Sequence, residues 1–331
     1  MRKLCFSFFI GIMLFSGSCK NDIDLVDNYH AALVIYGILN PADSVHYVRI
    51  SKVFLGKGNA LSYAQNPDST GFPPGTLSVK IEQWKNNLLV NTYVLSEDIA
   101  IPRDSGVFSY PHQTLYRSAF PVLKDGSVYK IIANDLSRGI SANAETPIVD
   151  DISIITPGIF TPLNFWTNSN ISFSWHTGTN AKRYQATVRF HYSEQFIYDT
   201  TEVSEKFVDW QIGGLDALSS TGNETISLNR VRSDFLRMAS QQIPDNPLMR
   251  RIAGKVDLIF LGAAEDFATY IDVQAANNSS TAALPPFTNI NGGFGLFSSR
   301  NTTVLRNYSL DSDTHYQLCV NAETYHLNFI R

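Results

Sequence analysis

From Ala31 onward the apolar residues fall in short runs separated by clusters of Gly, Pro, Asn and Asp, which is the punctuation of β structure. The pattern predicts strands at 33–39, 45–54, 77–84, 88–95, 114–120, 128–133 and 140–144, and together an immunoglobulin-like β-sandwich over 31–146. Leu77, Val79 and Ile81 alternate with Ser78, Lys80 and Glu82, so one face of that strand is wet. Asn40-Pro41-Ala42-Asp43 and Lys85-Asn86-Asn87 have the composition of hairpin turns. The stretch 56–75 is much longer than a hairpin loop, which makes it a candidate for function or for disorder.

The periodicity stops between Thr146 and Pro162, where Pro147, Pro157 and Pro162 mark a junction over 147–165. A second β-rich unit follows over 166–331. Ile171, Phe173 and Trp175 alternate with serines, and then Tyr184, Ala186, Val188, Phe190 and Tyr192 alternate with polar residues in the clearest strand of the chain. This arrangement resembles the central strands of a fibronectin type III module. Leu228, Val231, Phe235 and Met238 recur at spacings of three and four, the signature of an amphipathic helix. Asn246-Pro247 is expected to start another, so helices are predicted near 226–252 and again near 265–276, with a buried strand at 256–261. Tyr316 to Val320 reads as an apolar strand. The fold class expected is mainly β: an N-terminal immunoglobulin-like sandwich, then a second β-rich, fibronectin-III-like domain with a few inserted helices.

Composition agrees with two cores: 331 residues exceed what one domain usually needs, and 44% hydrophobic with only 17% charged residues supplies ample apolar material. The first residues stand apart. Arg2 and Lys3 precede an apolar run, Leu4 to Phe15, too short to span a bilayer, so 1–18 is expected to be a secretory signal. It ends in Ser16-Gly17-Ser18-Cys19, small residues before a cysteine as in a lipobox. Ser16 stands where Leu is usual, and ordinary cleavage near Ser18 is the rival reading. On the lipobox reading Cys19 carries the lipid and 19–30 is a solvated tether. Removing 1–18 takes two cations and no acid, leaving 24 basic against 30 acidic residues, a net charge of −6. Nothing basic remains to attract nucleic acid. Cys319 has no partner for a disulfide and is expected to be a buried, inert thiol.

No zinc helix of the HExxH type, paired CxxC, GxSxG elbow or phosphate loop is present, and the seven histidines have no ligand spacing. No catalytic residue, metal or cofactor is therefore assigned. The glycine-rich run Thr288 to Arg300 follows Pro285-Pro286 and leads into a strand, so it reads as a turn and a bulged strand in which Gly permits close backbone approach. Arg300 at its end is a candidate anion ligand. Asp150-Asp151, Glu265-Asp266 and Asp311-Ser312-Asp313 read as solvated loop charges. The aromatic run Phe160, Phe165 and Trp166 is a candidate binding surface for a sugar or a partner, or else packs the two domains together.

The signal with Cys19, the run Tyr47 to Gly56, Asp68-Ser69, Arg189 to Glu194 and the Thr288 to Arg300 segment resemble Bacteroidetes outer-membrane lipoproteins of domain-of-unknown-function family 4249. Lys20-Asn21-Asp22-Ile23-Asp24 likewise resembles the export signals of such lipoproteins. The resemblance implies a lipid-anchored protein of the outer membrane, with display on the cell surface as one outcome, and companionship with a TonB-dependent transporter; it transfers no catalytic residue. The expectation is a non-enzymatic envelope protein that binds a membrane-protein partner or a glycan or peptide ligand. The alternatives are a glycan hydrolase using dispersed carboxylates and a structural envelope component.

Overall fold

The computed structural model describes residues 32–53, 59–119, 123, 126–158, 161–279 and 285–331. Cys19, the tether and Phe160 lie outside them. The chain is mainly β, as its alternation predicts. Its first part forms β1 (Leu33–Leu39), β2 (Val45–Lys52), β3 (Leu77–Lys85), β4 (Leu88–Val94), β5 (Ser96–Asp98), β6 (Leu115–Ala119), β7 (Val128–Asp135) and β8 (Ile140–Pro147). The loop after β2 carries two short helices, α1 (Ala60–Ala64) and α2 (Pro67–Thr70). One layer has the order β5-β6-β2-β1 and the other β4-β3-β7-β8. Between them lie Ile35, Val48, Val79, Ile81, Tyr129 and Ile131, all buried. The β3–β4 hairpin turns on Asn86 and Asn87, with φ of 51° and 60°, the left-handed pair that a tight two-residue turn requires and that Asn tolerates.

The second part contains β9 (Ser153–Thr156), β10 (Asn170–His176), β11 (Arg183–Phe196), β12 (Asp199–Asp216), β13 (Thr225–Val231), α3 (Asp234–Gln242), β14 (Met249–Ala263), α4 (Glu265–Ser279), β15 (Gly293–Tyr308) and α5 (Ser312–Val320). Strands β12-β11-β14-β15 make one layer and β13-β10-β9 the other. Trp175, Tyr184, Phe190, Trp210, Phe235 and Phe260 fill the space between.

The two cores share one sheet. β15 is long enough to do two jobs: Gly293–Ser299 pairs in parallel with β1, and Arg300–Tyr308 pairs antiparallel with β14. The stretch 147–165, expected from its prolines to be a junction, is for the most part built into the second core: it carries β9, and Val149, Ile152, Leu163 and Phe165 are buried there, while the first core takes in a strand from the far end of the chain. Glycine makes the join possible, as the close-approach reading of this run expects. Gly295 has φ +109°, and a Cβ there would collide with the carbonyl oxygen of Ile35.

Four expectations of local structure are corrected. Leu228 and Val231 lie on β13, paired with β10 at Phe173 and Asn170, and the helix begins only at Asp234. Unpaired backbone along β10 outweighs a local period of three and four, because buried amides and carbonyls must be satisfied. Asn246-Pro247 starts no helix; the chain turns there, with Leu248 N donating to Asn246 Oδ1 at 3.0 Å, and enters β14. Tyr316 to Val320 belongs to α5, whose N-cap Asp311 accepts from Thr314 N at 2.8 Å and from Asn164 Nδ2 at 2.8 Å. Asp311 is therefore a capping residue and no solvated loop charge.

Candidate interaction surfaces

Strand direction fixes which features lie together. β15 runs parallel to β1, and β11 is antiparallel to β14, which is antiparallel to β15. The β11–β12 hairpin tip is therefore at the pole opposite the start of β1. At about 3.3 Å per residue, the seven steps from Gly293 to Arg300 and the thirteen from Arg183 to Phe196 separate the poles by roughly 60 Å.

Along the hairpin toward its tip four apolar side chains are left in solvent. Tyr198 is 79% exposed and packs edge-on against Phe196 at 5.7 Å, and Val203 and Phe207 are each 54% exposed on the outer face of β12. The Arg189 guanidinium stacks 4.1 Å from the Phe207 ring and makes two hydrogen bonds to Asp209, at 2.8 and 2.9 Å. Next on the same face of β11, His191 Nε2 and Asp257 Oδ2 are 3.0 Å apart, and Asp257 Oδ1 accepts from Asn307 N at 3.0 Å. These pairs line one face because the odd residues of β11, from Arg183 to His191, point away from the core that Tyr184 to Tyr192 fill. The sequence carried the alternation. It carried no sign of the partner strand β12, which brings Phe207 and Asp209 alongside.

Further along that face Arg183 joins two carboxylates. It bonds Asp216 through Nε at 2.7 Å and Asp272 of α4 through Nη1 at 2.5 Å. The guanidinium holds Asp216 below the ordinary carboxylate range. An acid–base pair needs one carboxyl group that keeps its proton, and an arginine between the two opposes that. A shallow cavity of about 440 Å³ beside α5 is lined by Ser312, Asp313, His315, Tyr316 and Arg331, with one carboxylate side chain. Among the described residues no group of His, Cys, Asp and Glu could hold a metal ion.

The residues singled out from sequence separate in the structure. Phe165 is fully buried, stacked on Phe235 at 4.7 Å and edge-on to Trp210 at 5.6 Å, so it is a core residue of the second unit and no part of a binding surface. Its own N–H donates to Thr314 Oγ1 at 2.8 Å, which draws the chain inward at that point. Trp166, the next residue, is 37% exposed. Arg300 sits on β15 opposite Ala263, far along the chain from the aromatic run; its Nε is enclosed and makes no hydrogen bond among the described residues. Cys319 is half-buried and donates to His315 O at 3.3 Å, and burial pushes its thiol pKa up.

No family model matches the chain, and no curated protein matches it. Similar solved structures are the native conformation of Escherichia coli alpha-2-macroglobulin, the sporulation control protein Spo0M of Bacillus subtilis, and the C-terminal globular domain of an oligosaccharyltransferase from Pyrococcus abyssi. The first is 12% identical with a TM-score of 0.21, over 72% of this chain and 13% of that one. The second is 12% identical with 0.18, over 49% of each chain. The third is 10% identical with 0.20, over 62% of this chain and 42% of that one. The chain thus spans less than half the length of each of these proteins. With scores this low, none of the three assigns an activity.

Proposed function

We propose that the chain is a lipid-anchored envelope protein that presents the β11–β12 hairpin as a binding element, held away from its anchor by the long shared sheet. The supporting observation is the exposed group Phe196, Tyr198, Val203 and Phe207, which runs along the hairpin to its tip at the pole opposite the start of β1. Aromatic rings with a polar edge, beside an arginine stacked on a ring, suit a protein surface or a glycan, because each buries a large apolar area at little conformational cost. In this reading Cys19 carries the acyl chains, the outer membrane is the site, and an outer-membrane partner such as a TonB-dependent transporter, or a glycan or peptide, meets the hairpin.

The test compares the native protein with a Phe196→Ser/Tyr198→Ser variant. Detergent-solubilised envelopes are cross-linked and the adducts identified, and purified protein is titrated with envelope glycans and peptides. The expected result is an adduct or a bound ligand that the variant loses while keeping its fold. Equal yields from both proteins, or neither adduct nor ligand, would overturn the assignment to the hairpin. Release of sugar from a glycan by the native protein would turn the reading to a hydrolase.

A further inference from the structure

We propose that the pole at which β1 begins rests directly on a lipid bilayer, with Ile99, Val107, Phe108 and Tyr110 entering the boundary between headgroups and acyl chains. The inference rests on the reading of Cys19 as the acylated residue for its orientation, since the described chain starts at Ala32 on this pole. The loop joining β5 to β6 and the loop carrying α1 and α2 reach the same pole. Asp98 pairs with Leu115 where β2 ends, and Lys52 Nζ at the end of β2 donates to Asp68 O at 3.0 Å.

This pole gathers exposed apolar side chains on loops, outside any sheet edge. Ile99 is 75% exposed, Val107 60%, Tyr110 59% and Phe108 40%, with Leu61 of α1 at 45% beside them. Single exposed apolar residues need no explanation; a cluster on two adjoining loops does. The loops are tied to each other by Ser109 N donating to Ala64 O at 3.1 Å.

The apolar side chains are also held outward. Arg103 N donates to Pro111 O at 2.7 Å and Gln113 Nε2 to Pro102 O at 3.2 Å, so the loop has its own internal frame and does not fold back over its rings. In this loop the half-buried Arg103 guanidinium lies 4.6 Å from the Phe108 ring and, among the described residues, makes no ion pair. Such a pair matches an interface: the ring enters the acyl region while the cation stays with phosphate.

Charge points to insertion as the driving force. Arg49, Lys52, Arg103 and Arg138 at this pole are offset by Asp68, Asp98, Asp104 and Asp135, so attraction to anionic lipid is small and binding should change little with salt. The thirteen steps from Cys19 to Ala32 span at most about 45 Å when extended, so on the acylated-Cys19 reading this pole stays within that distance of the anchoring leaflet.

The experiment uses the full mature chain with Cys19→Ala, so that no acyl chain contributes, and sucrose-loaded vesicles of phosphatidylethanolamine and phosphatidylglycerol. A Phe108→Trp version should shift its emission to the blue on vesicle addition and be quenched by brominated acyl chains. Val107→Ser/Phe108→Ser should lower co-sedimentation about tenfold, whereas Leu88→Ser/Val94→Ser, which removes exposed apolar residues from the edge strand β4, should leave it unchanged. An unshifted Phe108→Trp emission, equal losses from both double variants, or binding only to vesicles that carry outer-membrane proteins would overturn the proposal. Acyl labelling of the native protein reads the anchor separately. If Cys19 is unlabelled while the vesicle results hold, the surface stands and the anchor assignment fails.

Discussion

Replacing Gly295 with alanine tests whether one strand really serves both cores. Gly295 pairs with Ile35 in the parallel β1–β15 ladder at φ +109°, and an added Cβ would meet the Ile35 carbonyl oxygen, carbon and nitrogen. Gly139, in the β7–β8 turn, provides the comparison: its φ is +67° and an added Cβ meets nothing within 4 Å. The backbone strain alone costs about 1–2 kcal/mol at Gly139. At Gly295 the conformation is one that side chains rarely adopt, costing about 1–3 kcal/mol. Relief of the collision must also push β15 off β1, with the loss of roughly two ladder hydrogen bonds at about 1 kcal/mol each. Gly295→Ala should therefore lose about 4 kcal/mol, roughly two to four times the loss at Gly139. Urea unfolding followed by tryptophan fluorescence, with the midpoint and slope fitted for each variant, measures the difference. Equal losses within about 0.5 kcal/mol would refute the close β1–β15 approach and with it the shared sheet.

Two further outcomes follow from the same packing. Phe165→Ala should lose about 3–5 kcal/mol by leaving a cavity between Phe235 and Trp210, and Trp166→Ala under about 1 kcal/mol; denaturation midpoints that rank the other way would return Phe165 to the surface. Asp216 is held below the usual carboxylate range by Arg183, so its contribution to stability is present above the unfolded pKa of about 3.9 and fades as pH falls through the lower folded value. Asp216→Asn should accordingly flatten the acid side of the stability profile below about pH 4, and an unchanged acid limb would contradict the ion pair.

Local chemistry wrote most of the strands. Alternation over Tyr184 to Tyr192 and over Leu77 to Ile81 identified the buried faces, because a pleated backbone sends successive side chains to opposite sides. Asn86 and Asn87 announced a tight hairpin for an equally local reason, their tolerance of positive φ. The signal weakened wherever an apolar run was too short to show its period. The run from Tyr316 to Val320 is one of these: Tyr316, Leu318 and Val320 satisfy a strand pattern, yet the Asp311 cap starts a helix that carries all three.

The class of structure and the inward face of each long strand are thus legible residue by residue, since both follow from neighbours along the chain. Folding of the whole was needed to bring Gly293 to Ser299 into a sheet begun at Leu33, to enclose Phe165 while leaving Trp166 half open, and to gather apolar loops at the pole where β1 starts. Those outcomes depend on contacts between segments far apart in the chain. Their pairing is chosen by the burial and hydrogen bonding of the complete fold and leaves no periodic trace in either segment.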